Sequence, residues 1–318
     1  MSMPERVPTY AELPVVPDAP PNSSWGVFGR DDQLGTLNFL TEERRLAAAQ
    51  LVKRGAVFNL DLPLHLPSPP FFPARAAYRR TQVSFPGNRG RDDVVDGFWL
   101  QCSSQWDSLK HIRHPEYGFY NWTPDEQVDA EREGRLGIDH FSRHGILGRG
   151  VLLDVARYVE ARGEPMKTHE RRDIPLALLQ EVANAQGVTV KPGDIVLFRT
   201  ATAATLHEEY AHPETAVRPS PGGPGLLIDD AMLAWLWDNQ VAAIVSDNLA
   251  VEVWPAGGGR SLHRDGIALL GLVLGELFDL EALADDCARD HVYECLFVAK
   301  PLHLRAGVGS PANALAMK

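Results

Sequence analysis

Between Gln101 and His111 the chain reads Gln-Cys-Ser-Ser-Gln-Trp-Asp-Ser-Leu-Lys-His, the densest run of chemically competent polar side chains in its 318 residues. In an extended strand alternate residues share a face, so Gln101, Ser103, Gln105 and Asp107 point one way. Cys102, Ser104 and Trp106 point the other. Gln105 and Asp107 then stand about 7 Å apart at Cα, near enough for an amide oxygen and a carboxylate to share one cation. Gln101 is about 13 Å from Gln105 on a straight strand, so all three meet only across a bend or bulge. Asp107 is a candidate N-cap for a turn through Ser108 to Lys110, and one helical turn returns His111 to its side. On residue types alone, the same glutamines and aspartate equally decorate a solvent-facing strand, and a lone His111 after a turn equally serves as a hydrogen-bonded structural histidine.

These residues need a scaffold. Asp96–Trp106 reads as the strand that carries them. Upstream, Thr41 is an N-cap candidate for a helix running to Lys53 and stopped by Gly55, and Ala56–Leu64 alternates toward a strand. Pro67–Pro73, with four prolines, is a loop. Downstream, Val151–Val155 reads as a buried strand and Pro175–Gln186 as a helix closed by Gly187. Val188–Val190 and Asp194–Thr200 flank a Pro192-Gly193 turn as two strands. Asp229–Asn239 is an amphipathic helix followed by the strand Val241–Ser246. Leu262–Phe278 is apolar and mixed in character, Asp279–Ala288 is a helix, and Val292–Ala299 reads as the last strand. Uneven alternation of strands and helices predicts an α/β domain with a mixed or barrel-like sheet and outer helices. Met1–Ser24 holds six prolines without periodicity and reads as an arm lying on the surface or on a neighbouring subunit. Residues 25–318 form one domain, since no linker or repeat divides them.

Composition sets bounds on partners. Thirty-one Lys and Arg against 42 Asp and Glu give a net charge of −11, which disfavours nucleic acid and anionic membrane. No apolar run reaches the length of a bilayer, and the arm lacks a signal peptide's apolar core, so a cytoplasmic location is expected. Cys102, Cys287 and Cys295 form no CxxC pair and no disulfide framework. No GxGxxG, P-loop or GxSxG run occurs. Pro221–Gly225 contains two prolines and reads as a rigid turn. His207 and His212 stand five apart, one too many to share a helix face as zinc ligands.

The Gln101–His111 stretch resembles the metal motif of the cyclase family, which includes kynurenine formamidase and isatin hydrolase: HxGTHxD with a histidine four residues later. Gln101 and Gln105 stand where that pattern has its two histidines, Asp107 and His111 match, and Ser103-Ser104 replace Gly-Thr. A subgroup typified by trans-dienelactone hydrolase carries QxxxQxDxxxH, which the chain fits at all four positions. The likeness continues through His144–Ile146 and Gly148–Asp154, Pro192-Gly193-Asp194 with Arg199-Thr200, Pro224–Leu226, Ser246-Asp247 with Glu252, and His263 with Gly275–Leu277.

The resemblance implies a swivelling β/β/α fold, a homo-oligomer (dimer or tetramer) and a hydrolase. Its substrate would be a small cyclic ester, cyclic amide or N-formyl amide. Gln101, Gln105 and Asp107 would hold one divalent ion per chain, Zn²⁺ or Mn²⁺. His111 would be the general base. Neutral amide oxygens in place of imidazoles tilt such a site toward harder ions such as Mn²⁺. Two-metal members add a C-terminal histidine and glutamate. Their places fall near Gly257–Gly259 and Leu270, hence the expectation of one ion, with Glu252 and His263 assigned to the pocket wall. Trp99, Trp106 and Tyr120 are candidate stacking surfaces for a flat substrate. The alternatives are a binding or structural protein with a weak or empty site, and a ring-closing or dehydrating enzyme.

Overall fold

Short aliphatic runs such as Ile195–Phe198 and Ala243–Ser246 are buried on both faces, as strands in the middle of a covered sheet must be. The computed structural model that shows this describes residues 4, 6–131, 133–216, 222–257 and 259–318. Its strands, in chain order, are β1 (Val57–Asn59), β2 (Arg79–Ser84), β3 (Arg91–Asp96), β4 (Gln105–Asp107), β5 (Ile146–Leu153), β6 (Arg172–Ile174) and β7 (Ile195–Phe198). There follow β8 (Pro224–Leu226), β9 (Ala243–Ser246), β10 (Val273–Glu276), β11 (Glu294–Ala299), β12 (Gly309–Pro311) and β13 (Ala314–Met317).

Nine of them form one mixed sheet in the order β1-β13-β11-β5-β7-β9-β10-β4-β12. Its centre, β5-β7-β9-β10, is parallel, and the flanking pairs are antiparallel. The sheet curls as a half-barrel with helices against it, the mixed α/β architecture that the alternation predicts. Capping places several helices as read: Thr41 Oγ1 accepts from Arg44 N, Asp229 Oδ1 from Met232 N, and Gly187 closes Leu176–Gln186 in the left-handed conformation.

Several boundaries differ from the sequence reading: β1 is only Val57–Asn59, β5 begins at Ile146 and ends at Leu153, and the helix read from Asp279 runs Glu281–Asp290. The helix after Thr41 ends at Ala49 rather than Lys53. Val188–Val190 forms no strand and leads straight into the Pro192 turn. Glu294–Ala299 is not the last strand, because β12 and β13 follow and enter the same sheet. The expected strand Asp96–Trp106 is split in two: Gly97, at φ 67°, ends β3, and residues 97–104 turn. β2 and β3 leave as a separate two-stranded hairpin, and only Gln105–Asp107 joins the large sheet.

The described part of the N-terminal arm packs on its own chain. Trp237 Nε1 donates to the Pro8 carbonyl, Tyr10 N donates to Asp238 Oδ1, and Tyr10 and Leu13 are buried. Ser24 N and Trp25 Nε1 donate to the carbonyls of Leu269 and Ala268. Among the described residues no helix is long and apolar enough to cross a membrane.

Candidate metal centre

β4 lies between β10 and β12, with Gln105 opposite Glu276 and Pro311, and Asp107 opposite Leu274 and Gly309. Alternation sends Gln105 and Asp107 to one face and Trp106 to the other, as read from the sequence. Trp106 is wholly buried between Phe278 and Phe297, and its Nε1 donates to the Ala312 carbonyl. It anchors the strand and presents no surface to a substrate. After Asp107 the chain turns, with His111 N donating to the Ser108 carbonyl at 3.0 Å. Asp107 caps nothing; the turn is closed by backbone. His111 Nε2 comes to 3.8 Å from Asp107 Oδ1.

The other half of the site comes from the C-terminal third. His263 sits in the first turn of a π-helix, Leu262–Leu270, a helix form often found at functional sites. Its Nε2 lies 3.1 Å from Glu276 Oε1 and 3.9 Å from Asp107 Oδ2, and its Nδ1 lies 2.8 Å from Glu252 Oε1. His263 is therefore a member of the cluster rather than of a pocket wall. Glu276, on β10, was missed by sequence reading. Its signal was the acidic residue in Leu-Gly-Glu-Leu, one of few charges in an apolar run. Leu270 and Gly259, the positions first considered, contribute no ligand atom to the cluster, and Gly258 lies outside the described residues.

Glu252 is delivered by backbone strain. Ala250 and Val251 take φ of 75° and 60°, the latter a costly choice for a β-branched residue. The resulting turn lets Glu252 accept from Ser261 Oγ, Leu262 N and His263 at once. Gly225 on β8 makes room for it: a Cβ there would meet the Glu252 carbonyl carbon at 2.4 Å.

Gln101 stands off the strand, in the turn. Its carbonyl accepts from Arg75, and its Nε2 lies 2.7 Å from where a Cβ on Gly309 would stand. Because Gly309 pairs with Asp107, the Gln101 amide occupies the face of the sheet to which Asp107 points. The turn thus supplies the bend that a straight strand lacked. Tyr120 is fully buried, donating to Asp32 Oδ2 at 3.1 Å, far from a stacking role, whereas Trp99 is 48% exposed. His207 is held by Asp279 at 2.7 Å and joins no metal-ligating group.

Charge in the cluster is unbalanced without a cation. Asp107 is 1% exposed and neither of its oxygens has a hydrogen-bond partner, nor has Gln105 Oε1. Burial pushes the Asp107 carboxyl up, against the pull of His111, His263 and Arg75. Burial pulls His263 down, but its hydrogen bonds to Glu252 and Glu276 outweigh this and push it to about 10. The same contact with His263 holds the Glu276 carboxyl low despite its burial. Asp107, His111 and His263 each offer a ligand atom within 4.8 Å of the others. An orphaned carboxylate facing two imidazoles, with an orphaned amide oxygen on the same face of β4, is a donor set that fits a divalent ion.

The Cyclase family model matches residues 56–253, well over half of the chain. A crystal structure described as a novel cyclase is 31% identical, covering 93% of this chain and 99% of its own, with a TM-score of 0.81. Isatin hydrolase A from Ralstonia solanacearum is 16% identical over 87% of this chain and 98% of its own (TM-score 0.58). Isatin hydrolase A from Labrenzia aggregata, bound to benzyl benzoate, is 14% identical over the same shares (TM-score 0.53). These two likenesses are of fold. No curated protein matches the chain. On the family match and the shared architecture, the chain belongs to the cyclase family.

Proposed function

We propose that the chain is a metal-dependent hydrolase that opens a cyclic ester, a cyclic amide or an N-formyl amide. The observation that carries this reading is the buried, unpartnered Asp107 carboxylate beside Gln105 Oε1 and two imidazoles. An isolated buried carboxylate costs several kcal/mol, on the order of the stability of many whole domains. Such a group persists where a cation compensates it.

In this reading Gln105, Asp107 and His263 hold one divalent ion, Zn²⁺ or Mn²⁺, with Gln101 at its edge. When bound, the ion lowers the pKa of a coordinated water and polarises the acyl carbonyl. Glu252 keeps a proton on His263 Nδ1 and so turns Nε2 toward the ion. His111, on the turn beyond Asp107, takes the proton of the attacking water and passes it to the leaving oxygen or nitrogen. The isatin hydrolases among the structural neighbours lend weight to the cyclic-amide branch.

A second reading rests on one observation: His263 sits 2.8 Å from Glu252 and 3.1 Å from Glu276, where a protonated imidazole would itself supply the cluster's cation. That favours a binding protein of the same fold with an empty site. Metal analysis by mass spectrometry of chelator-free protein separates the two. One ion per chain in the wild type, absent from Asp107→Ala, supports the hydrolase. No ion even after soaking in Zn²⁺ or Mn²⁺ overturns it. His111→Asn should keep the ion while hydrolysis falls by about 10²–10⁴-fold.

A further inference from the structure

A cavity of about 640 Å³ opens beneath the Pro67–Pro73 loop, walled by Phe71, Phe72, Leu249 and Trp254. That volume suits a small organic ligand. None of Gln105, Asp107, His111, His263 or Glu276 lines it. One polar group in its wall, Arg75, has unspent capacity toward the cavity. Arg75 is the one charged side chain among the described lining residues. Its guanidinium lies 4.6 Å from the Phe72 ring centroid, and it donates to the Gln101 carbonyl. Among the described residues no carboxylate stands within ion-pair distance of it, although its charge acts on buried Asp107.

We propose that this cavity binds a flat, unsaturated carboxylic acid, with its carboxylate on Arg75. Stacking on Phe72 leaves the guanidinium edge for the bidentate contact that a planar carboxylate makes. A single cation in a mostly apolar cavity matches one negative charge and leaves a phosphate dianion at best half-compensated. Aromatic and proline walls favour a thin, rigid body over a branched chain.

The acid's place in the reaction rests on the hydrolase reading. Hydrolysis breaks the acyl C–O or C–N bond. The water's oxygen goes to the acyl carbon and its protons to the leaving atom and to solvent, so a carboxylate is released. Gln101 joins the two sites, with its carbonyl on Arg75 and its amide against Gly309, opposite Asp107. Arg75 is therefore placed to receive the acid formed at the metal centre and to select against ligands that cannot carry the charge.

Calorimetric titration of the full chain with trans-cinnamate and its neutral isostere cinnamamide tests the proposal. The wild type should bind cinnamate at least tenfold more tightly. Arg75→Met should bring cinnamate down to the cinnamamide level and leave cinnamamide unchanged, Arg75→Lys should keep part of the preference, and Leu249→Trp, which fills the cavity, should abolish both. Equal binding of the two probes, binding of neither, or a preference that survives Arg75→Met overturns the proposal. Asp107→Asn should retain the preference. If the protein then proves to hold no metal and to hydrolyse nothing, the cavity's anion selectivity stands and only the identification of the acid as a product falls.

Discussion

Glu276 stands directly across the β4–β10 ladder from Gln105 and takes its amide N–H at 3.0 Å. That bond decides which end of the amide is left over. With Nε2 committed to Glu276, Oε1 is the atom left without a partner, on the face of β4 that Asp107 shares. Gln105→Leu removes this oxygen and leaves Glu276 short of a donor. We expect metal content to fall at least tenfold, measured by equilibrium dialysis against Mn²⁺ or Zn²⁺. Gln105→Glu keeps an oxygen in place and should retain metal. Equal metal affinity in Gln105→Leu and wild type would remove Gln105 from the ligand set.

Glu252 acts through His263. Glu252→Gln keeps the shape but weakens three hydrogen bonds, to Ser261 Oγ, Leu262 N and His263 Nδ1. Loss of such an orienting carboxylate costs about 10–100-fold in metal affinity. A drop in thermal stability with unchanged metal affinity would mean that Glu252 supports only the loop.

Gly225 is a steric fuse. Gly225→Ala would drive a Cβ into the Glu252 backbone at 2.4 Å, whereas at Gly223 the nearest atom is the Thr168 carbonyl oxygen at 3.3 Å. Gly225→Ala should cost about 1–3 kcal/mol, in line with overpacking elsewhere, and should lower metal affinity through displaced Glu252. Gly223→Ala should cost less. Denaturant titration of both variants decides it, and equal losses would count against the close approach.

Stability should depend on pH through His144. Its ring donates to the Leu37 carbonyl from a half-buried position, and burial, helped by Arg45, pulls it from 6.5 to about 4. Between those values the unfolded chain binds the proton and the folded chain does not, so stability is lost as pH falls from 6.5 toward 4. Asp247 opposes this: burial pushes it from 3.8 to about 6, so the folded chain takes up its proton first and gains stability across the lower part of the same window. Comparing wild type with His144→Gln isolates the histidine. The wild type should lose ground to the variant as pH drops from 7 to 4.5, and a pH-independent difference would exclude the role.

Half of the site could be read from the linear sequence because it is local. Gln105 and Asp107 share a face by strand alternation, and the turn to His111 needs only four residues. The remainder depends on which strands become neighbours. Glu276 reaches Gln105 only because β10 pairs with β4, and His263 enters from the first turn of a π-helix far along the chain. No local periodicity encodes either. The mixed α/β class was legible from alternating elements, but β12 and β13 were not, since Gly309–Pro311 and Ala314–Met317 are short, lack β-branched side chains and are separated by Asn313 at φ 45°. The apparent strand Asp96–Trp106 misled for the opposite reason: its residues suit extended backbone, and Gly97 alone divides it.

β4 has both of its ladder partners, β10 and β12, far downstream in the chain. During synthesis the Gln105–Asp107 segment therefore leaves the ribosome long before anything exists for it to pair with, and its carboxylate must wait, solvated, for residues 273–276 and 309–311. A nascent chain halted before residue 263 would hold only the weak Gln-Asp-His half of the centre. If the centre holds the proposed ion, its capture would be timed to the end of translation, and the ion would lock the first third of the polypeptide to the last.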